Sequence, residues 1–235
     1  MALVEITPYN YTLARNSPLH AQIQKAYRWY SPKFSPHDVP RFADVGSITE
    51  NPLVMRSIRD FLVQRYKSFP QPPTHIMGFD ARGFLFGPLI AVELGIPFVL
   101  MRKANKNAGV LIKSEPYEKE YKEVEPEVMT IRLGSIDKNS RVVLVDDVLA
   151  TGGTALSGLQ LAEASGATVL EVVSLLQLTF LKGVELSHSY RNGRYSKIPF
   201  FSFVDETALT DENCGDLLNY TGKRAISCSE ALSKL

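Results

Sequence analysis

One stretch, VVLVDDVLATGGTAL from Val142 to Leu156, constrains the fold of this chain most strongly. It opens with four apolar, mostly β-branched residues, which are typical of a parallel strand that is buried on both faces. Asp146 and Asp147 follow at the point where that strand would end. A loop of small and hydroxylated residues comes next, and a helical pattern begins at Ala155. This order predicts one strand-loop-helix unit of an α/β sheet.

The loop itself is Ala150-Thr151-Gly152-Gly153-Thr154, and its residues favour a phosphate-binding site. Ligands of an open α/β sheet bind at the carboxyl ends of the strands, where this loop would lie. The glycines let backbone N–H groups turn inward, and the helix that follows adds unpaired N–H groups and the positive end of its dipole. The threonines add hydroxyl donors. The loop matches neither a Walker A sequence nor the G-x-G-x-x-G of dinucleotide sites.

The adjacent acids Asp146 and Asp147 lie just before the loop, at about the reach of a sugar. Two carboxylates can accept hydrogen bonds from vicinal hydroxyls, or hold a Mg²⁺ ion that those hydroxyls share. A solvated Asp-Asp pair followed by an ordinary Gly-Gly turn is the alternative interpretation. It explains each piece but not the whole ordered string, so we favour a sugar-phosphate site.

Composition excludes several other classes of protein. At 235 residues the chain suits one α/β domain with additions, and its 26 Lys and Arg nearly balance its 25 Asp and Glu. This balance argues against a dedicated nucleic-acid surface. Cys214 and Cys228 lack metal-ligand spacing and are expected to be free thiols, and the four scattered histidines indicate no zinc site.

The sequence also carries information on targeting. The N-terminus lacks the basic-then-apolar layout of a signal peptide. The most apolar region, residues 84–101, is interrupted by prolines and fits a buried helix and strand better than a membrane span. The final residues Ser233-Lys234-Leu235 form the tripeptide read by peroxisomal import receptors. We therefore expect import into a peroxisome-type organelle, and a cytoplasmic location if Leu235 is not the natural C-terminus.

Periodicity and turn residues predict the other elements. A first helix is expected to reach Tyr30, with Ser17 as its N-cap and Pro18 at its first position. The proline-rich residues 31–47 are expected to break regular structure. Asn51-Pro52 is expected to start a second helix. Strands are predicted over 74–79, 97–101, 128–133, 142–145, 168–178 and 199–204, and helices over 83–94 and 155–164.

Charged groups follow two further predicted strands. Asp80-Ala81-Arg82-Gly83 ends the first and opens a helix, and Arg102-Lys103 ends the second. Taken singly, each is an ordinary strand-end charge. Three strands of one sheet that all end in phosphate-compatible groups predict a single anion site. Residues 104–127 form a long, charged segment broken by prolines, which indicates a lid, a binding loop or a disordered segment.

These motifs resemble those of the type I phosphoribosyltransferases, which bind 5-phosphoribosyl 1-pyrophosphate. The resemblance rests on the strand-acid-loop motif, on GFDARGFLFGPLIAVELGIPFVLMRK (Gly78 to Lys103) and on EKEYKE (Glu118 to Glu123). Within the family the chain is most similar to members that act on adenine, in the long form found in trypanosomatids. The resemblance covers the first helix to beyond Leu178, and residues after Asp205 resemble only the long form.

The resemblance implies a central, mostly parallel sheet flanked by helices, with an N-terminal purine-binding hood and a C-terminal extension. The expected divisions are residues 1–50 for the hood and arm, 51–204 for the core with a flexible lid over 104–127, and 205–235 for the extension, which lies outside the common core against a subunit interface. A homodimer is expected. The implied reaction converts adenine and phosphoribosyl pyrophosphate to AMP and pyrophosphate, with Mg²⁺ as cofactor.

The resemblance also implies roles for particular residues. Asp146 and Asp147 would face the ribose and hold the metal, and Glu120 would be an acid or base for the purine. The remaining substrate-binding residues fall into four groups. The base would meet Val39, Arg41 and Phe42, the pyrophosphate would meet Asp80, Ala81, Arg82, Arg102, Lys103 and Lys106, the lid would supply Tyr121, and the 5′-phosphate would meet Ala150, Thr151, Gly152, Gly153 and Thr154. The Asp80–Ala81 peptide is expected to be cis.

This sequence departs from the family pattern at one point, in the segment that would bind the purine base. Many members have Phe-Arg-Asp, whereas here Phe42 is followed by Ala43 and preceded by Arg41. Stacking of adenine on Phe42 is expected, while the side-chain role of Arg41 stays open. Two alternatives remain at this stage: a phosphoribosyltransferase that uses hypoxanthine and guanine, and a non-catalytic regulator that senses phosphoribosyl pyrophosphate.

Overall fold

A computed structural model describes residues 3–116, 128–218 and 225–233 of the chain. Seven α-helices occur in this part of the chain: α1 (Pro18–Ala26), α2 (Val45–Thr49), α3 (Pro52–Lys67), α4 (Gly87–Leu94), α5 (Gly153–Ala164), α6 (Gly183–Gly193) and α7 (Cys228–Leu232). The strands are β1 (Leu3–Thr7), β2 (Asn10–Leu13), β3 (Arg28–Tyr30), β4 (Phe42–Asp44), β5 (His75–Phe79), β6 (Phe98–Lys103), β7 (Leu111–Lys113), β8 (Met129–Arg132), β9 (Arg141–Val145), β10 (Val148–Leu149), β11 (Thr168–Gln177) and β12 (Phe200–Asp205).

One large sheet runs through the described residues in the order β1-β2-β12-β11-β9-β5-β6-β8-β7, and a second, two-stranded sheet pairs β3 with β4. The central strands of the large sheet are parallel. Strand β9 lies between β5 and β11, with Val142 opposite His75 on one side and Val169 on the other. Antiparallel pairs occur only toward the two edges. The predicted, mostly parallel α/β sheet is therefore confirmed.

Strand β9 is buried on both faces, as its unbroken apolar run predicts. Val143 and Val145 point into the core that α1 and α3 cover, while Val142 and Leu144 point into the core beneath α5. All four side chains are almost completely inaccessible to solvent. Helices thus cover both faces of the sheet, and its carboxyl edge is the place left for a ligand.

Two sequence predictions were wrong in the N-terminal region. The first helix begins at Pro18 with Ser17 as its cap, but it ends at Ala26 and not at Tyr30. Residues Arg28–Tyr30 form β3, which pairs with β4 inside the segment that was expected to lack regular structure. The pairing joins residues that are remote in sequence, so local periodicity does not reveal it.

The chain after Asp205 is mostly polar, and periodicity alone does not place its first residues in the hydrophobic core. Ala208 and Leu209 are buried within the same core as Ile23 and Phe203. A short 3₁₀ helix, Glu206–Ala208, brings them there. These two apolar side chains help to anchor this otherwise polar segment, because burial of each contributes about 1–3 kcal/mol.

Cys214 and Cys228 are free thiols, as the sequence predicts. Among the helices of the described ranges, none combines the length and the apolar character that a membrane span requires.

Candidate active site

A cavity of about 440 Å³ opens at the carboxyl edge of the central strands. Most of the residues that the sequence singled out line it. These are Arg41, Phe42, Asp80, Ala81, Arg82, Lys103, Lys106, Asp146, Asp147, Ala150, Thr151, Gly152, Gly153 and Thr154. The cavity forms because parallel strands end at one edge, so loops that are distant in sequence meet there.

The two acids are held by main-chain hydrogen bonds to β11. The N–H of Asp146 donates to the carbonyl of Val173 at 3.0 Å, and the N–H groups of Leu175 and Leu176 both donate to the carbonyl of Asp147 at 3.0 Å. The chain therefore leaves β9 in a fixed direction, and the carboxylates are placed by the sheet itself. Arg82 Nη1 lies 3.3 Å from Asp147 Oδ2.

The electrostatics of this pair favour a positively charged or hydroxyl-bearing ligand. Burial raises the pKa of Asp146 well above its usual value, and the neighbouring charge of Asp147 raises it further. Burial also raises the pKa of Asp147, although the Arg82 guanidinium opposes that effect. A cation or donor hydroxyls at this position would stabilise the charged carboxylates.

The predicted phosphate loop, Ala150 to Thr154, packs closely against the start of α6. Gly152 has φ +83°, and a Cβ there would lie 2.4 Å from the carbonyl oxygen of Gly183. A Cβ on Gly183 would in turn lie 2.2 Å from the carbonyl of Ala150. Because the loop is supported from behind, its turn is fixed and α5 begins directly at Gly153, with its first N–H groups at the cavity. Gly183 was missed at the sequence level, where a single glycine before a helix carries no signal.

A second group of charges surrounds Asp80. The Asp80–Ala81 peptide is cis, as the resemblance implies. Asp80 Oδ2 lies 3.4 Å from both Arg102 Nε and Lys106 Nζ. Arg102 Nη1 also donates to the carbonyl of Lys106 at 2.8 Å, which holds the start of that loop toward the cavity.

An aromatic wall closes another side of the cavity. The Phe42 ring lies 5.8 Å from the His37 ring and 5.4 Å from the Arg82 guanidinium carbon. Leu176 and Leu178 add apolar surface to the lining. His37 and the two leucines were not among the predicted site residues, because an isolated histidine and a buried strand end look ordinary in sequence.

Comparison with known proteins is consistent with this geometry. The family model of the phosphoribosyl transferase domain matches residues 44–207. The adenine phosphoribosyltransferase of Mus musculus is 40% identical over 164 residues, which are 69% of this chain and 84% of the mouse protein. This chain belongs to the adenine phosphoribosyltransferase family.

Two solved structures resemble the whole chain and confirm the predicted likeness to the long, trypanosomatid form. The adenine phosphoribosyltransferase of Trypanosoma brucei, solved with AMP, pyrophosphate and ribose-5-phosphate, is 63% identical with a TM-score of 0.96. That of Leishmania donovani is 64% identical with a TM-score of 0.95. Each match covers 100% of this chain and 99% of the solved chain.

Four residues predicted for the adenine phosphoribosyltransferase site are not seen in the cavity lining. Val39 and Arg102 are described but do not line the cavity. Arg102 contacts two residues of the lining, Asp80 through its carboxylate and Lys106 through its carbonyl. Glu120 and Tyr121 lie outside the described residues, so their predicted roles stay predictions.

Proposed function

We propose how this cavity performs the reaction of its family, the transfer of a 5-phosphoribosyl group from phosphoribosyl pyrophosphate to adenine, which gives AMP and pyrophosphate in purine salvage. One observation carries the assignment of residues: a single cavity joins the acid pair, the phosphate loop, several cations and an aromatic wall. Each of these matches one chemical part of the two substrates.

The loop Ala150 to Thr154 binds the 5′-phosphate, and the acid pair binds the ribose. The rigid turn at Gly152 and the N-terminus of α5 offer main-chain N–H donors to a dianion. Asp146 and Asp147 accept hydrogen bonds from the ribose hydroxyls. As the bond from C1′ to pyrophosphate lengthens, their charge stabilises the oxocarbenium-like ring.

The pyrophosphate lies toward Arg82, Lys103 and Lys106, which line the same cavity. These side chains neutralise the charge that grows on the leaving group. Arg102 supports them from behind, since it contacts Asp80 and the Lys106 carbonyl.

The adenine ring lies against Phe42, and main-chain groups near Arg41 read its edge. Its imidazole nitrogen attacks C1′ as pyrophosphate leaves, and the proton on the imidazole must depart as the new bond forms. Glu120 is the proposed acid or base for that proton, and Tyr121 is its neighbour in the lid sequence. A closed lid over 104–127 excludes water, which would otherwise capture the cation.

The acid pair fits a Mg²⁺ ion. Carboxylate oxygens are the ligands that this hard cation prefers, and the raised pKa of Asp146 marks negative charge without a full counter-charge. No cluster of three or more potential ligands occurs within the described ranges, so substrate oxygens would complete the coordination. When held by Asp146 and Asp147, the metal would neutralise charge on the pyrophosphate and orient the ribose hydroxyls as neutral oxygen ligands.

A purine panel tests this proposal. We expect rapid release of pyrophosphate and formation of AMP with adenine, and little nucleotide product with hypoxanthine or guanine. Release that does not depend on any base would indicate a sensor or a hydrolase and would contradict the proposal. Inosine or guanosine monophosphate as the main product would indicate the hypoxanthine-guanine alternative.

We further propose that the chain forms a homodimer through α4 and the turn before it. Leu85, Leu89 and Val92 are exposed by 39%, 41% and 79%, and Leu100 on the neighbouring β6 is exposed by 42%. Leu89 and Val92 are three positions apart on α4 and share one face. An apolar face of this kind favours an interface with a second copy of the chain.

A further inference from the structure

The guanidinium group of Arg41 points to the C-terminal segment, residues 208–216. It donates hydrogen bonds to the carbonyl of Leu209 and to Asp211 Oδ1, the latter at 2.7 Å, and it lies 4.7 Å above the Trp29 ring. The exposed ion pair alone would contribute little. The carbonyl bond and the stacking hold the planar group in one orientation, so the Arg41 guanidinium is engaged with this segment.

The same segment is fastened along β3. Trp29 Nε1 donates to the carbonyl of Thr210 at 2.7 Å, and the N–H of Ser31 donates to Asp216 Oδ1 at 3.1 Å. Gly215 packs so closely on β3 that a Cβ would lie 2.4 Å from a Tyr30 ring carbon. The C-terminal segment therefore lies along β3, the strand that pairs with β4.

Strand β3 is the hydrogen-bonded neighbour that fixes Phe42. Tyr30 pairs with Phe42 and Arg28 with Asp44 in an antiparallel ladder only three residues long. A two-stranded ribbon of this length is marginal on its own. The position of the Phe42 ring consequently depends on tertiary contacts that hold the ribbon in place.

The shared family domain does not include these contacts. The phosphoribosyl transferase domain spans residues 44–207, so Arg41 and the segment over 208–216 both lie outside it. In this chain the C-terminal extension and the residue next to Phe42 meet through one side chain. The extension is thereby joined directly to the wall of the purine site.

We propose that Arg41 is a positioning residue for the purine. Its guanidinium fastens the C-terminal segment to the β3–β4 ribbon, and this brace holds the Phe42 ring in place for the adenine. The inference rests on the proposed function in that Phe42 is taken as the wall against which adenine lies. The phosphoribosyl pyrophosphate end of the cavity is held by the sheet and α6, so it does not depend on the brace.

Steady-state kinetics with each substrate varied separately test the proposal in the full-length protein. Arg41→Met keeps the aliphatic stem and loses the donors. We expect its KM for adenine to rise about tenfold, while its kcat and its KM for phosphoribosyl pyrophosphate stay within about twofold of the parent values. Because Trp29 is the single tryptophan of the chain, its emission reports on the cluster, and we expect a red shift in this variant.

Asn213→Ala loosens the same segment from a distance, since Asn213 Nδ2 donates to the carbonyl of Gln24 at 2.6 Å. We expect its adenine KM to rise in the same direction, about threefold. Arg28→Met is the matched control, because Arg28 is an exposed arginine beside Trp29 on β3. Its kinetics are expected to match those of the parent protein.

Phe42→Ala separates failure of the inference from failure of the function on which it rests. If Phe42→Ala raises the adenine KM and Arg41→Met does not, the brace is wrong and the purine site stands. If Phe42→Ala leaves the adenine KM unchanged, the assignment of the base itself is wrong. An equal rise of both KM values in Arg41→Met would show general loosening and overturn the proposal. Should that variant not fold, an unchanged adenine KM in folded Asn213→Ala would overturn it.

Discussion

At the scale of single residues, the acid pair shows how a binding site reduces the stability of the free protein. Asp146 has a raised pKa because it is buried and because Asp147 lies beside it. The surroundings of Asp146 therefore disfavour its charged form. The ligand supplies the missing compensation, and this conflict between stability and binding is common in active sites.

Replacement of Asp146 by Asn should stabilise the ligand-free protein at neutral pH and strongly reduce turnover. The folded-state pKa of Asp146 is raised above the unfolded value, so the folded state binds more protons and its stability falls as pH rises from about 4 toward the raised pKa. The Asp146→Asn variant has no titrating group at this position, so its stability does not fall with pH in this way. We expect its Tm to exceed that of the parent at pH 7.5 and the difference to shrink toward pH 4, as measured by thermal unfolding in a pH series.

Asp60→Asn is the control for that series, because Asp60 is an exposed acid on α3. Its kcat/KM should match that of the parent, because Asp60 does not line the cavity. A lower Tm of Asp146→Asn at pH 7.5 would contradict the electrostatic account. A kcat/KM within tenfold of the parent value would contradict the role in binding the ribose.

Gly152→Ala should damage the phosphate loop. The new Cβ would meet the carbonyl of Gly183 at 2.4 Å in a backbone with φ +83°, so the loop must move away from α6. We expect the affinity for AMP to fall by at least about tenfold, as measured by calorimetry. Gly95→Ala is the matched control: Gly95 has φ +66° and nothing within 4 Å of the new Cβ. That control should lose about 1 kcal/mol of stability and no affinity, and equal losses of affinity would refute the argument.

At the scale of elements, a buried ion pair joins α3 to β11. Arg65 Nη2 lies 2.5 Å from Glu171 Oε1, and its Nε lies 3.1 Å from Oε2. Glu171 is fully buried, and burial raises its pKa although Arg65 opposes the rise. The guanidinium also lies over the Phe201 ring, 5.2 Å from its centroid. This pair specifies how the helix sits on the sheet, since either charge alone would be costly at that position.

Arg65→Met should therefore destabilise the protein more than Glu171→Gln. Loss of the arginine leaves a buried carboxylate, at a cost of about 3–5 kcal/mol, whereas the glutamine keeps the volume and removes the charge. Without Arg65, the pKa of Glu171 rises further, and the deficit should grow as pH increases from 5 to 8. Urea unfolding at both pH values measures this. A larger loss for Glu171→Gln, or a deficit independent of pH, would be inconsistent with this account.

At the scale of the whole molecule, the fold separates the ligand site from the surface proposed for assembly. The cavity lies at the carboxyl edge of the sheet, while the apolar side chains of the proposed interface lie on α4, on the turn before it and on β6. The C-terminal segment belongs to a third region, where it packs on β3. The expectation that residues 205–235 lie against a subunit interface stays a prediction, and variants of α4 and of Arg41 test the two regions separately.

Val92→Asp should disrupt the proposed homodimer. A charge placed in an apolar interface costs several kcal/mol, and Val92 is the most exposed of the apolar side chains on α4. We expect the sedimentation coefficient to fall to that of a monomer. Val110→Asp is the control, since Val110 is 69% exposed and lies before β7. A monomeric parent protein, or a Val92→Asp variant that remains dimeric, would refute the interface.

Import into a peroxisome-type organelle, or a glycosome in a trypanosomatid, stays a prediction from Ser233-Lys234-Leu235, whose last two residues lie outside the described part of the chain. Removal of the tripeptide should leave a fluorescently tagged protein in the cytosol, provided that the tag is N-terminal. Organelle import that persists without the tripeptide would reject the targeting role. Catalytic activity should not change.

Local sequence was sufficient to determine the central sheet, the acid pair and the phosphate loop. An unbroken apolar strand must be buried on both faces, and whatever follows it must lie at the carboxyl edge where ligands bind. Asp146 and the Gly152 turn depend on residues that are close to them in sequence, so both could be predicted from the sequence.

Tertiary structure alone decided what supports that chemistry. The close approach of Gly183, the β3–β4 ribbon, and the contacts of Arg41 with the C-terminal segment all join residues far apart in the chain. Such contacts depend on the packing of several elements at once, and a periodic pattern within one element does not encode its partner. For this reason the sequence identified the groups that we propose to touch the sugar phosphate, and only the folded chain showed which contacts lie behind the loop and beside Phe42.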